Sequence, residues 1–439
     1  MTPREILALC REKEVRTVDL RLADLSGAWH HLLIPVARLD EDLFEEGLGF
    51  DGSVLWGGPP ASASDLLAVP QPETAYLDPV AAEPTLALLC NLQDPLTREP
   101  FARDPRDIAQ KAENYLRSTG FADTVFLGTK AQFFVFDEAH FQNSFSASES
   151  RVSLLTGGES VFTEMMHSLN ECGLEVTGHL QPACSSLPSA IGLGHQPIVQ
   201  MADALLNYKH IVRQVARRRN KRASFMPQPL AEGPGCGLRT SLSFWKKDQP
   251  LFAGHGYAGL SELALYALGG ILRHAPALMA ICNPTTNSYK RLAASADVAS
   301  QLTFAQQNRS AACRIPAYSP SPKSRRIEVR FPDPSCNPYL AFAALVLAAI
   351  DGIQLKLNPG PPLEEGRTKA HGGAAELPPV PPTLDEALRA LEEDHEFLLH
   401  DDVFTKDTIQ AWVDRKRQTE IQPLRLRPHP FEFSQYFDL

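Results

Sequence analysis

Apolar positions in the first hundred residues change period repeatedly. Ile6, Leu7 and Cys10 share one helical face within residues 3–14, which predicts a first helix. From Thr17 to Leu25 the pattern becomes alternating, with Val18, Leu20 and Leu22 on one side, and it ends in the turn Asp24-Leu25-Ser26-Gly27. Further strands are predicted over His30 to Pro35, Leu66 to Val69 and Thr85 to Leu92. Phe50-Asp51-Gly52-Ser53 is expected to be a loop, with Gly52 at its tight bend. These elements make a small α+β unit, residues 1–104.

The second unit, residues 105–439, opens with a proline-led helix over Pro105 to Ser118. Helices near Val161 to Cys172, His195 to Arg219, Ser261 to His274 and Pro338 to Leu355 interleave with strands. Those strands are expected at Thr124 to Asp137, Leu174 to Leu180, Ala223 to Pro227, Cys236 to Trp245 and Arg325 to Phe331. The alternation indicates a large α+β domain. Asn358 to Pro382 is rich in proline, glycine and charge and is expected to be an exposed loop; helices over Leu384 to Leu399 and Lys406 to Thr419 follow. There is no internal repeat.

Composition narrows the function classes. The 439 residues are 44% hydrophobic and 21% charged, enough for a sizeable core. The net charge of −10 is dispersed, which argues against nucleic acid, because phosphate neutralisation needs a clustered basic surface. The one basic cluster, Arg217-Arg218-Arg219-Asn220-Lys221-Arg222, is either a solvated helix end or an anion or subunit contact. Eight cysteines without a C-x-x-C pair fit a reducing compartment better than a disulfide framework. The N-terminus does not read as a signal peptide. The longest apolar run, Tyr339 to Ile350 with five alanines, is too short for a bilayer and suits a tightly packed buried helix. The expectation is a soluble, cytoplasmic protein with no membrane partner.

Three ordered segments carry a specific resemblance. Asn283-Pro284-Thr285-Thr286-Asn287-Ser288-Tyr289-Lys290-Arg291-Leu292 is one. Gln307-Asn308-Arg309-Ser310, with Arg314-Ile315-Pro316, is the second. Arg325 to Pro334, continuing as Asn337-Pro338-Tyr339-Leu340, is the third. With Phe50-Asp51-Gly52-Ser53 and the ending Arg427-Pro428-His429-Pro430-Phe431-Glu432, the chain resembles the glutamine synthetases of the bacterial type I branch along its whole length. The resemblance implies a small N-terminal β-grasp-like domain, a large α/β catalytic-type domain, and stacked rings, a dodecamer by family, with each site shared between neighbours. It also implies phosphoryl transfer from ATP to the side-chain carboxylate of glutamate, followed by displacement of phosphate by ammonia.

That chemistry brings anions together and needs divalent cations held by hard oxygen ligands. The residues at the matching positions are of a different kind. Lys130 and Gln132 stand where the family carries two alternating glutamates. Gln181 and Ser189 fall at the next two glutamate positions, and Arg239 falls at a metal-binding histidine. Of this set only Glu328 keeps a ligand's chemistry, so Mg²⁺ or Mn²⁺ is not expected. His179 reads as a satisfied buried histidine. The anion-handling positions are retained: the resemblance assigns phosphate or substrate binding to Arg291, Arg314, Lys323, Arg326, Arg330 and Ser243, and catalytic positions to Asp51, Asp297 and Arg309. Pro234 replaces an asparagine that holds glutamate in the family. Arginine suits these roles because its planar fork grips oxyanions.

Lys130 and Arg239 read either as drift in an unused cavity or as internal cations standing where metals were, reaching toward Glu328. Three function classes follow. One is a catalytically inactive binding or regulatory protein with a retained anion, nucleotide or amino-acid cavity, ATP being the nucleotide the family would bring. Another is an active ATP-dependent ligase with altered metal use. The third is a structural ring subunit. The partners are further copies of the chain and, in one variant, an active glutamine synthetase within a mixed ring.

Overall fold

The computed structural model describes residues 1–141, 150–154, 159–180, 187–294, 301–318, 321–363 and 379–439. Helix α1 (Pro3–Glu12) is fixed at its start by a reciprocal capping box between Thr2 and Glu5. Strands β1 (Thr17–Ala23), β2 (Trp29–Pro35), β3 (Leu48–Asp51), β4 (Asp65–Pro70), β5 (Tyr76–Leu77) and β6 (Thr85–Gln93) form one sheet, with a short helix α2 (Glu41–Glu46) between β2 and β3. The order is β2-β1-β6-β4-β3, with β5 also on β6, and β1 runs parallel to β6. Val18, Leu20 and Leu22 pack with Leu86 and Leu88 in a core of their own.

The other face of β1 is covered too. Asp19 and Arg21 are buried as well, because they belong to a polar network. Arg21 donates to Asp19 at 2.6 Å and to Tyr76 and Asp78, and Tyr76 donates to Asn207 of the large domain. A buried charge needs such partners.

In the large domain, α3 (Pro105–Ser118) leads into the long strand β7 (Thr124–Phe141), then β8 (Ser150–Leu154), α4 (Glu159–Glu171), β9 (Val176–Leu180), β10 (Ser189–Leu193) and α5 (Ile198–Arg218). After β11 (Arg222–Ser224), β12 (Leu238–Lys246) and β13 (Gln249–Pro250) come the helices α6 (Glu262–Arg273), α7 (Ala275–Cys282) and α8 (Thr286–Ala294). Strands β14 (Gln301–Ala305), β15 (Ala311–Arg314) and β16 (Ile327–Val329) then precede α9 (Pro338–Gln354), α10 (Leu384–Glu393) and α11 (Lys406–Lys416). The sheet runs β14-β15-β16-β12-β7-β10-β9, with β8 and β11 also on β7 and β13 on β12.

Helix α9 is buried along nearly its whole length, as its alanines suggested. It crosses α6 at glycines: a Cβ on Gly270 would lie 2.0 Å from the Ala348 carbonyl oxygen and 2.7 Å from the Gly352 Cα. Among the described residues no single helix is long and apolar enough to cross a membrane. Phe50-Asp51, expected in a loop, ends β3; pairing with Leu66 and Asp65 extends it.

Candidate functional site

Strand register assembles the site. Along β12, Arg239, Thr240 and Ser241 sit opposite Lys130, Thr129 and Gly128 of β7. On one flank Gly192 of β10 is opposite Lys130; on the other, Glu328 of β16 is opposite Ser241 and Arg314 opposite Glu328. Alternation puts Lys130, Gln132, Arg239, Ser241, Ser243, Glu328 and Arg314 on a common face. Two adjacent rows result. One reads Arg314, Glu328, Ser241, Gly128; the next reads Arg239, Lys130, Gly192.

Lys130 and Arg239 line a cavity of about 200 Å³ with Gln132, Thr177, Gly178 and His179. Like charges directly opposite on neighbouring strands repel. The lysine stem leans the other way, over Gly192, where an added Cβ would meet its Cε at 3.2 Å. Gln132 is committed to the backbone, its side-chain oxygen accepting the Gly237 N–H at 2.8 Å. His179 stacks on Phe162 with ring centroids 4.5 Å apart, and burial lowers its pKa. Its Nε2 is buried with no partner among the described residues, so the ring is not the satisfied histidine that was expected.

Among the described residues, the cations within ion-pair distance of Glu328 are Arg314 at 3.7 Å and Arg330 at 3.9 Å, rather than Lys130 or Arg239. The register explains this, since Glu328 lies one row away from Arg239 and Lys130. One Glu328 oxygen is buried without a hydrogen bond. Burial, then Arg239, Arg314 and Arg309, push the Arg330 guanidinium down to about 10, with Glu328 acting against them. Arg330 also donates to the Arg309 carbonyl.

Arg291, fully buried, points to the backbone. It donates to the carbonyls of Phe331 at 2.9 Å and Arg330 at 3.1 Å, with Asp333 at 3.9 Å, so it braces the chain leaving β16. Arg326 donates to the Ser324 carbonyl, and Lys323 is exposed in a short turn. The Ser243 hydroxyl accepts the Trp245 indole N–H at 3.0 Å, and Ser189 is buried opposite Phe133. Gln181 and Asp297 lie outside the described residues. Asp51 is exposed, and its carboxylate accepts the Ser53 N–H at 2.9 Å; bonds from Ser53 and Ser64 hold its pKa below the ordinary value. A Cβ on Gly52 behind it would come within 2.5 Å of the Leu66 side chain, which would have to shift.

Sequence reasoning missed His195, which it placed at a helix start. The ring lies over Gly128, where a Cβ would approach it to 2.7 Å, and its Nε2 is 3.3 Å from the Ser241 hydroxyl. Burial and then Arg326 push its pKa down and favour the neutral ring, with Glu175 acting against them. The signal was the pairing of a bare glycine in β7 with a histidine just after β10.

Mg²⁺ and Mn²⁺ demand several oxygen donors around one point. Lys130, Arg239, Ser189 and Ser241 bring an ammonium, a guanidinium and hydroxyls to this part of the sheet, and the Gln132 amide is committed to the backbone. Among the described residues no group of three His, Cys, Asp or Glu side chains converges. Among the described residues this set offers one carboxylate, Glu328, and it is flanked by Arg314 and Arg330.

Comparisons with known proteins bear on the whole chain. Residues 14–95 match the glutamine synthetase β-grasp domain and residues 102–436 match the glutamine synthetase catalytic domain. A glutamine synthetase of Aquifex aeolicus is 42% identical over 466 aligned positions, covering 100% of this chain and 99% of that protein. One from Azospirillum brasilense is 41% identical, covering 99% of each. A Plasmodium falciparum glutamine synthetase structure superposes with a TM-score of 0.91 at 24% identity, covering 99% of both chains. GmaS without ligand gives 0.82 at 27% identity, with the same coverage.

Proposed function

Because the chain belongs to the glutamine synthetase family, we propose that it is a member in which the metal-dependent ligase site has become a metal-free anion site, serving a binding or regulatory role. The observation that carries this reading is the arrangement of charge. Lys130, Arg239, Arg309, Arg314 and Arg330 gather in one neighbourhood, and Glu328 is the one carboxylate within ion-pair distance of any of them among the described residues. Transfer of a phosphoryl group to a carboxylate requires neutralisation of several developing negative charges. Protein cations here supply positive charge in fixed positions but provide no open coordination positions to bridge nucleotide and acceptor. The ligand would be a small phosphate- or carboxylate-bearing metabolite, ATP included, in a cytoplasmic setting. Assembly would follow the family's ring, with the Asp51 turn presented to a neighbouring copy and the boundary between domains near residue 104.

A second reading is an active ATP-dependent ligase with altered metal use. It draws on the full-length identity to named glutamine synthetases. One experiment separates the two. The assembled protein, its ring state checked by light scattering, is incubated with glutamate, ammonia and ATP in Mg²⁺ or Mn²⁺, and glutamine is measured. Our reading expects none above background; turnover at an ordinary ~1–10³ s⁻¹ overturns it. Each lost transition-state contact is worth roughly 2–4 kcal/mol by analogy with oxyanion donors.

A further inference from the structure

A second cavity, of about 730 Å³, lies between the β1–β2 turn of the small domain and helix α5 of the large one. It shares no lining residue with the cavity beside Lys130. Its volume is in the range of small-molecule sites. Lys209, Arg213 and Arg217, spaced four residues apart on α5, line it together, and no aspartate or glutamate does. Like charges four residues apart on a helix repel, so the stripe stands at a cost unless something negative answers it.

The nearby carboxylates are already engaged. Asp19 and Asp78 are bound by Arg21, and His31 and His210 also approach them at 3.0 and 3.3 Å. Lys209 is buried and donates to the Cys336 carbonyl at 3.2 Å, which occupies one of its three protons. Arg213 lies 5.2 Å over the Phe225 ring, and neither it nor Arg217 forms an ion pair among the described residues. On the opposite wall Trp29 contributes a buried indole N–H that has no acceptor among the described residues. A buried unpaired donor is costly.

We propose that this inter-domain cleft is a second anion site, which takes a multiply charged phosphorylated small molecule and holds the small domain against α5. Guanidinium groups from Arg213 and Arg217 meet the phosphate oxygens at the mouth. Lys209 supplies charge from the floor, and Trp29 is the donor that a ligand or its ordered water satisfies.

Calorimetric titration of the assembled full-length protein with pyrophosphate tests this. The expected result is two binding events per chain in the unaltered protein. Arg213→Gln with Arg217→Gln, both on exposed side chains, abolishes one event or weakens it at least tenfold. Lys130→Gln with Arg239→Gln abolishes the other. If the site beside Lys130 does not bind anions, one event remains, and it is still the one lost in the Arg213/Arg217 variant. Unchanged stoichiometry and affinity in that variant, with far-ultraviolet circular dichroism matching the parent, overturns the proposal. As a second measurement, Arg213→Glu should lose the event outright; retention is equally fatal to it.

Discussion

Replacing Lys130 with glutamine removes one of two cations that face each other across β7 and β12. The structure gives this change two opposite consequences. Without an anion, relief of a directly opposed like-charge pair should raise stability by about 0.2–1 kcal/mol, toward the low end because solvent reaches the lysine. With an anion, the loss should be larger. Two unit charges roughly 6 Å apart interact by about 0.7 kcal/mol even at the dielectric constant of bulk water. Against a ligand carrying two negative charges, one lost cation therefore costs about 1.4 kcal/mol, or tenfold in affinity. The assay is chemical unfolding in low salt, with and without pyrophosphate. At one hundred times its dissociation constant a ligand stabilises the native state by about 2.7 kcal/mol. The variant should begin slightly above the parent and gain markedly less. A variant that is less stable alone, or that gains as much from pyrophosphate, refutes the reasoning that the pair forms an anion site.

Glu328→Gln should tighten pyrophosphate binding severalfold by calorimetry, because it withdraws a carboxylate that faces both Arg314 and Arg330; weaker binding would mean that Glu328 organises the arginines instead. His274 bridges Asp351 at 2.9 Å and Asp394 at 2.8 Å; burial opposes its charge, but the two carboxylates raise its pKa, while His274, against burial, lowers that of Asp351. The histidine's contribution is thus fully present below its unfolded value of ~6.5 and lost as pH rises through its folded pKa, and the aspartate's is present above ~3.9 and lost on further acidification. Urea midpoints should show that His274→Ala costs about 3 kcal/mol near pH 5.5 and clearly less at pH 9; an equal cost at both would remove the charged bridge. Gly270→Ala should cost about 3 kcal/mol from overpacking against α9, whereas Gly49→Ala, whose Cβ meets only Leu67 at 4.0 Å, should be nearly neutral; equal soluble yields and unfolding midpoints would contradict the tight crossing.

Much of this was legible in the chain. The strand Thr124 to Asp137 and the helix from Pro338 emerged because their periods, proline starts and alanine content are local signals. That Lys130 and Gln132 share a face followed from alternation alone. That Lys130 and Arg239 are opposite one another did not, because register is set by pairing between segments a hundred residues apart. Strands β14 and β15 and helices α7 and α8 were missed, since their short apolar runs acquire a period only against a partner. The role of Arg291 was also hidden: a buried guanidinium that braces carbonyls and one that grips a ligand are the same letter in a sequence. The burial of Asp19 and Arg21 was not legible either, because the partners of their network, Tyr76, Asp78 and Asn207, are distant in sequence.

On the proposed reading, the opposition of Lys130 and Arg239 also makes any route to a metal centre uneven. A single Lys130→Glu reversion would not give a cation its first ligand; it would give Arg239 a counter-ion. A single Arg239→His reversion would leave an imidazole facing an ammonium group. Each first step leads to a self-satisfied pair that has less need of a metal than before. On the reading proposed above, a divalent site would need several strands to change together, so the register constrains what single substitutions can do.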